Sequence, residues 1–321
     1  MRQFTALLMA SLAIVLVNAC GCAPVDGAPA GALSAAGRGA NYLWSCQKAD
    51  GSWPDQLTEF PGGATSMAAW ALLDSGVQAD DPRIAKALAW LGELKTDRTY
   101  VLANRANVWA EADRGASGKF RDRLQADVER LYKNSMKGSY TYVAEPMPEG
   151  MGDQSNSHYA VMGVQAGVGA GLKVPGEYWG LVSTYWISAQ NSDGGWPYSR
   201  RGTPSSATMT AAGLCTLEAC RKNSGEQAGM MKALERGYVW MDKDFKESLQ
   251  DPQNVYYYFF SIARIGKLSG RDKFAGVDWK PTVVAELLRR QQPNGSWTGP
   301  WGPELATAYA VMVLNHAARS K

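Results

Sequence analysis

The chain has 321 residues, of which 45% are hydrophobic, and a formal net charge of +3. This is enough apolar material for a sizeable core in one or two domains. The Lys and Arg residues are spread along the chain without a basic stripe, which excludes the electrostatic footprint of a nucleic-acid-binding protein.

The first 22 residues have the pattern of an export signal and are predicted to lie outside the fold. Arg2 precedes an apolar run over residues 4–17, which is too short to span a bilayer comfortably. The four residues ending at Cys20, Val-Asn-Ala-Cys, resemble a bacterial lipobox, in which this cysteine becomes the lipidated N-terminus; ordinary signal cleavage is the alternative. We therefore expect an exported protein of the periplasm or cell envelope, held at the membrane only by a lipid on Cys20, with residues 23–36 as a flexible tether.

One frame then occurs three times along the chain. In each copy a Gly lies four residues after a Gln and a Trp lies six residues after it; the copies are Gln47, Gly51 and Trp53, then Gln190, Gly194 and Trp196, then Gln291, Gly295 and Trp297. The copies are separated by close to whole multiples of about 50 residues, the upper end of helical-repeat periods. Degenerate units fill the gaps at residues 90–95, at 238–243, and at Gly138-Ser139-Tyr140 with Asn134 in the Gln position. The sequence therefore predicts six units.

Each unit is predicted to be a helical hairpin, with an outer helix, a Gly-rich turn and a small-residue inner helix. In chain order, the outer and inner helices are expected at residues up to 47 and 65–73, 82–94 and 104–112, 120–136 and 155–169, 179–190 and 206–221, 227–242 and 252–265, and 281–292 and 304–318. Thr65 or Ser66 is the expected cap of the first inner helix. Six such hairpins can close into a ring, which predicts an all-α fold, a single α/α toroid over residues 37–321.

The repeated residues are expected to be structural rather than catalytic. A Gln side chain can satisfy free backbone groups at a helix end. The Gly permits a tight turn, and the Trp can pin that turn to the next hairpin.

The frame resembles a known repeat. Residues 38–53, from Arg-Gly-Ala-Asn-Tyr-Leu to Trp53, match in full the QW motif of squalene–hopene and other triterpene cyclases. The chain is thus similar, over about residues 36–321, to the prenyltransferase and squalene oxidase repeat family. Residues 152–159 and 256–266 look like segments of bacterial exported proteins that carry this repeat. The resemblance implies an α/α toroid of six hairpins and is a poor guide to activity.

The catalytic signatures that the resemblance would imply are missing from the sequence. The cyclases use an Asp-x-Asp-Asp acid, which does not occur here; Asp80 and Asp81 fall on an outer loop. Protein prenyltransferase β subunits bind zinc through Asp, Cys and His, but this chain has two His, His158 and His316, and no Asp-x-Cys. The Gly-Cys-Gly-Glu-Gln thioester of complement-like toroids is also absent. We therefore predict no metal and no cofactor.

The mouth of the ring that collects the turns and the starts of the inner helices is the predicted site. Asp153 and Glu304 could form an acid–base pair there, assisted by His158 or Tyr257. The alternative is that both carboxylates only cap helices, and that His158 is a hydrogen-bonded structural residue. The polar residues expected at this mouth are Asp153, Asn156, His158, Thr208, Thr210, Asn254, Tyr257 and Glu304.

Two functions fit this pattern. In the first, the toroid binds a hydrophobic or polymeric ligand, or a protein partner, without catalysis. In the second, it is an enzyme that uses carboxylates at the mouth on a terpenoid, an isoprenoid or a polysaccharide. The missing acid motif favours the first function. An aromatic-lined closed cavity would favour an apolar ligand, and an open cleft with paired carboxylates would favour a sugar.

Overall fold

The computed structural model describes residues 29–114, 118–145, 152–199, 203–250 and 254–319. The predicted export segment, Cys20 and residues 23–28 of the predicted tether lie outside the described residues. The helices are α1 (Ala32–Cys46), α2 (Gly63–Asp74), α3 (Pro82–Glu93), α4 (Thr99–Asp113), α5 (Arg121–Lys133), α6 (Gln154–Gly169), α7 (Gly176–Ala189), α8 (Ala207–Ser224), α9 (Met230–Ser248), α10 (Val255–Ser269), α11 (Trp279–Arg290) and α12 (Pro303–Arg319). Two short antiparallel strands, β1 (Lys273–Phe274) and β2 (Val277–Asp278), lie between α10 and α11. Among the described residues, no helix is both long and apolar enough to cross a bilayer.

The even-numbered helices form an inner ring, and the odd-numbered helices surround it. Each inner helix packs against the next, from α2 through α4, α6, α8 and α10 to α12, and α12 packs back against α2. Because outer and inner helices alternate along the chain, each consecutive pair is one hairpin. The predicted α/α toroid of six hairpins is confirmed.

Inner and outer helices differ in how much of their circumference is buried. Helix α8 buries every residue from 207 to 220. By contrast, α3 buries only a stripe at helical spacing, Ile84, Ala87, Leu88 and Leu91. Small residues let the inner helices approach closely: a Cβ on Gly163 of α6 would lie 2.8 Å from the Cα of Ala103 on α4. The core therefore occupies the ring and its contact with the outer layer.

The repeated Gln joins two hairpins through one side-chain amide. In each copy the amide nitrogen donates to the carbonyl of the motif Gly, at 3.0, 2.8 and 2.9 Å in chain order. It also donates to a carbonyl in the first turn of another outer helix, that of Arg83, Ala233 or Ala35, at 2.9, 2.8 and 2.9 Å. The turn sits so close to that helix that only Gly fits: Gly51 has φ of 93°, and a Cβ there would lie 2.6 Å from the carbonyl carbon of Lys86.

The repeated Trp ties the same turn to its own hairpin. Its ring N–H donates to a carbonyl of the preceding outer helix, that of Leu43, Trp186 or Leu287, at 2.6, 2.8 and 2.8 Å. Its backbone N–H donates to a threonine hydroxyl of the following inner helix, that of Thr65, Thr210 or Thr307, at 3.0, 3.1 and 3.0 Å. Thr210, which was expected at the mouth, is therefore a residue of α8 whose hydroxyl holds the repeat turn. These contacts give the repeated residues the structural role expected of them.

The third unit uses Tyr140 in place of Trp. The Tyr140 hydroxyl donates to the Leu131 carbonyl at 2.9 Å, and its backbone N–H donates to the Ser157 hydroxyl at 3.0 Å. Asn134 is too short to reach the next hairpin, and its amide donates to the Arg130 carbonyl of its own helix at 2.9 Å. The predicted register of this unit is confirmed. It differs from the full copies in that the Asn134 amide contacts its own helix, α5, and not the next hairpin.

The last copy of the repeat closes the ring. Gln291, which follows α11, donates to the Ala35 carbonyl in α1, 256 residues away in the chain. Helix α1 also packs along α12. The first outer helix therefore covers the last inner helix, so the ring has no exposed end.

Two sequence predictions about the first hairpin were wrong. Helix α1 begins at Ala32, inside the predicted tether and before the predicted domain start at residue 37, because Ala32, Ala35 and Ala36 are buried where α1 meets its neighbours. Helix α2 is not capped by Thr65 or Ser66. Its first N–H groups, those of Gly62 and Ala64, donate to the Asp55 carboxylate at 2.8 and 2.7 Å.

Replacing a motif Trp tests its structural role. Trp196→Ala should lower the free energy of unfolding by roughly 3–5 kcal/mol, because a fully buried ring is lost. The matched control is Trp301→Ala, at a position that is 50% exposed, where we expect a change within about 0.5 kcal/mol. Urea denaturation of both variants gives the comparison. Equal stability of the two variants would show that the repeat does not hold the fold.

Candidate functional site

The candidate site is the mouth formed by the repeat turns and the N-terminal ends of the inner helices. Two of the loops there are tied together around Asp153, whose backbone forms β-bridges with both Tyr140 and Ser199. The same loops meet at their tips, where the hydroxyls of Tyr142 and Tyr198 are 2.8 Å apart. The loops in front of α6 and α8 thus form one side of the mouth.

Asp153 is the N-cap of α6. One carboxylate oxygen accepts from the Ser155 hydroxyl at 2.6 Å and from the Asn156 backbone N–H at 2.9 Å. The other oxygen accepts from the Asn156 side-chain amide at 2.7 Å. With three donors and only 8% of its surface exposed, this carboxylate is engaged in holding the helix end. The geometry matches the capping alternative and leaves Asp153 poorly placed for proton transfer.

Glu304 lies in the first turn of α12 and is buried. Its Oε2 has no hydrogen-bond partner among the described residues. The pKa of Tyr42 on α1 is raised mainly by burial and by Cys46, and the Glu304 charge adds to that shift, so this carboxylate lies within electrostatic reach of the outer layer.

The structure does not bring Asp153 and Glu304 together. Helices α6 and α12 are opposite members of the inner ring. Packed helices have axes about 8–10 Å apart, so opposite members of a six-helix ring lie about 16–20 Å apart. Carboxyl pairs of glycosidases are separated by about 5–9.5 Å. The expected acid–base pair is therefore not formed by these two helix starts.

His158 and Tyr257 are brought together from α6 and α10. The His158 Nδ1 and the Tyr257 hydroxyl are 2.5 Å apart. Burial lowers the pKa of His158 well below its ordinary value, and the nearby positive charge of Arg264 lowers it further, so the imidazole is neutral. No group of three or more His, Cys, Asp or Glu side chains suited to a metal occurs in the described part of the chain.

Two other predicted residues, Thr208 and Asn254, also lie at the starts of inner helices. Thr208 is buried in the first turn of α8. Asn254 is the N-cap residue of α10, and its side-chain oxygen lies 3.5 Å from the ring nitrogen of Trp301. Beside it is a pocket of about 20 Å³, lined by residues that include Asn254, Tyr256, Tyr257, Trp301 and Tyr309. That volume holds about one water molecule.

Exposed aromatic side chains at the mouth were missed by sequence reasoning. Tyr142 and Tyr198 are each 44% exposed, and Trp301 is 50% exposed. The ring of Tyr142 packs against the rings of Phe60 and Tyr100, with its centroid 5.6 and 6.0 Å from theirs. The sequence offered no signal that singles out Trp301, because nine of its twelve Trp residues stand outside the repeated frame.

Comparison with known proteins supports the fold. No family model matches the chain, and no curated protein matches it. The chain is similar to the type II terpene cyclase MstE from Scytonema, with 16% identity, a TM-score of 0.57, and coverage of 90% of this chain and 98% of that one. It is also similar to the GH76A α-1,6-mannanase of Salegentibacter sp. HEL1_6, with 8% identity, a TM-score of 0.63, and coverage of 89% and 98%. At such low identity the likeness establishes the α/α toroid alone.

Conservative substitutions can distinguish the roles of the Asp153 and Glu304 carboxylates. Asp153→Asn should cost about 1 kcal/mol or less of unfolding free energy, because Asn caps a helix nearly as well as Asp. Asp153→Ala should cost about 1–2 kcal/mol, because the cap is lost. Glu304→Gln should leave stability nearly unchanged, since Oε2 has no partner to lose. Chemical denaturation measures all three; equal losses for the Asn and Ala variants would contradict a capping role for Asp153.

Proposed function

We propose that this protein is an exported binding toroid that holds an extended carbohydrate chain across its motif-loop mouth without catalysing a reaction there. The observation that carries the proposal is the set of exposed aromatic side chains, Tyr142, Tyr198 and Trp301. Tyr and Trp offer an apolar face with a polar edge. A sugar ring has the matching pattern, with C–H groups on its faces and hydroxyls around its rim.

The positions of these aromatic residues favour a long ligand. Tyr142 and Tyr198 lie in the loops that precede α6 and α8, and Trp301 lies in the loop that precedes α12, so the exposed aromatic side chains come from three loops around the mouth. The pocket beside Trp301, at about 20 Å³, is far below the roughly 300–1,000 Å³ of a site that encloses a small molecule. The ligand therefore lies over the mouth, which favours a polymer over a terpenoid enclosed in the ring.

A structural neighbour supports this class of ligand. An inactive variant of the Salegentibacter mannanase, in complex with α-1,6-mannotetrose, aligns with a TM-score of 0.67 at 7% identity. A toroid of this architecture therefore binds an oligosaccharide in at least one other protein. The same comparison includes a terpene cyclase in complex with geranylgeranyl dihydroxybenzoate. The small volume of the pocket at the mouth, about 20 Å³, is the reason to favour the sugar.

An enzymatic function is the second candidate, because Glu304 has a buried and unpartnered carboxylate oxygen. A carboxyl group in such a place can act as a general acid. Its expected partner, Asp153, is engaged by three hydrogen bonds on the far side of the ring. Polysaccharide cleavage that is abolished by Glu304→Gln and retained by Asp153→Asn would establish this candidate instead.

Removing the aromatic surface tests the binding function. We expect Trp301→Ala and Tyr142→Ala each to weaken binding of soluble α-1,6-linked mannan about 10-fold or more, as for an aromatic anchor in an interface. Retardation in affinity gel electrophoresis measures this, with β-linked glucans as further probes. Met231→Ala, at an exposed position on α9, is the matched control and should bind as wild type. Retardation that is the same in all variants, or absent with every polysaccharide, contradicts the proposal.

The export and anchoring of the protein remain part of this proposal. If Cys20 carries the lipid, Cys20→Ser should move the protein out of the membrane fraction or leave its signal uncleaved. Metabolic labelling with a palmitate analogue, followed by fractionation, measures both outcomes. Labelling of the Cys20→Ser variant at the wild-type level would contradict anchoring at this residue.

A further inference from the structure

Two hydrogen-bonded pairs connect α6 and α10 across the ring. In the first pair, His158 Nδ1 and the Tyr257 hydroxyl are 2.5 Å apart. In the second, Arg264 Nη2 donates to Gln165 Oε1 at 2.7 Å. On each helix the two members are seven residues apart, which is about two turns, so they lie on one face. Because α8 separates α6 from α10 in the ring, both faces point toward the ring axis.

Between these two pairs lie three polar atoms without partners. Ser261 occupies the turn between Tyr257 and Arg264, on the same face of α10. His158 Nε2, Ser261 Oγ and Arg264 Nε are all buried and have no hydrogen-bond partner among the described residues. His158 and Ser261 are 1% and 0% exposed. Buried polar groups are normally satisfied, so three unpartnered atoms along the facing sides of α6 and α10 indicate a site for a polar ligand.

All three atoms can donate a hydrogen bond. Burial raises the pKa of Tyr257 well above its ordinary value, so its hydroxyl keeps its proton. The partner that the structure gives this hydroxyl is His158 Nδ1. Tyr257 therefore donates to Nδ1, and the neutral imidazole carries its own proton on Nε2. Ser261 offers an O–H and Arg264 an N–H, so the guest must be an acceptor.

The charge at this level is also uncompensated. Arg264 forms no ion pair with any carboxylate in the described residues, and its guanidinium lies 5.7 Å from the centroid of Phe260. Three basic groups feel its charge: the pKa values of His158, Lys267 and His316 are lowered mainly by burial, and Arg264 adds to each shift. Burial lowers the pKa of Arg264 itself, because a cation without a counter-charge is costly inside a fold, and an anion would offset that cost.

We propose that the ring axis contains a binding site for a small carboxylate anion, held by Arg264 Nε, Ser261 Oγ and His158 Nε2 between the two cross-ring pairs. Charge-assisted bonds from a guanidinium to a carboxylate are among the stronger hydrogen bonds in proteins. Arg264 as a whole is only partly buried, so solvent reaches part of the side chain and offers the anion a way in. The site shares Tyr257 with the pocket at the mouth, but it does not require that a carbohydrate be bound there.

Formate, the smallest carboxylate, tests this site through thermal stability. At constant ionic strength, replacing sodium gluconate by sodium formate should raise the wild-type melting temperature by several degrees along a saturable curve. Gluconate carries the same carboxylate on a six-carbon chain, so it is the size control for a site that lies between the two cross-ring pairs. Arg264→Met should remove the formate dependence. Lys222→Met, which deletes a charge from an exposed position on α8, is the control and should keep it.

A wild-type protein insensitive to formate, or an Arg264→Met variant with unchanged dependence, overturns the proposal. If Arg264→Met does not fold, a crystallographic measurement on the wild type decides. Crystals soaked in sodium bromide should show an anomalous peak within hydrogen-bond distance of Arg264 Nε, and acetate should abolish it by competition. Bromide peaks confined to the protein surface would overturn the proposal equally.

Discussion

The ring depends on one side-chain amide that serves two hairpins at once. At each full repeat the Gln nitrogen donates both to its own turn and to the first turn of another outer helix. The amide has two N–H groups, so one side chain can donate to carbonyls of two different elements. The distance between hairpins is therefore set by a short, directional contact as well as by apolar packing. The Gly and Trp of the frame fit this close approach. The Gly permits it because it has no side chain, and the Trp fills the space that remains.

Most of this architecture could be predicted from the sequence because the residues of the repeat lie close together in the chain. Gln, Gly and Trp act within six residues of one another, so their spacing survives in the chain and predicts the fold. Even the weak third unit was correctly aligned, because Tyr140 keeps the two hydrogen bonds that Trp makes elsewhere. The start of α1 was misplaced because a stretch of Ala and Gly is typical of a linker. What makes it helical is its burial against other helices, which no local pattern records.

The candidate site was less predictable, because its geometry comes from the ring rather than from neighbours in sequence. Asp153 and Glu304 are similar in sequence, each a carboxylate at a helix start, yet they stand across the ring from each other and differ in hydrogen bonding. His158 and Tyr257 are 99 residues apart and meet only because both helices face the axis. How many hydrogen bonds a carboxylate accepts, and whether a buried polar atom has a partner, depend on the packed structure. The chemistry-bearing residues could be named in advance, but not their pairing.

The closing contact between Gln291 and Ala35 also constrains how the chain reaches its native state. The two residues are 256 positions apart, and such a non-local contact must overcome a large loss of chain entropy before it contributes. Helix α1 emerges first during synthesis, but one of the inner helices that it covers, α12, is made last. Until then the apolar faces of both end hairpins are uncovered, which is the condition in which proteins aggregate or meet chaperones. The fold therefore cannot close before its last helix has been made.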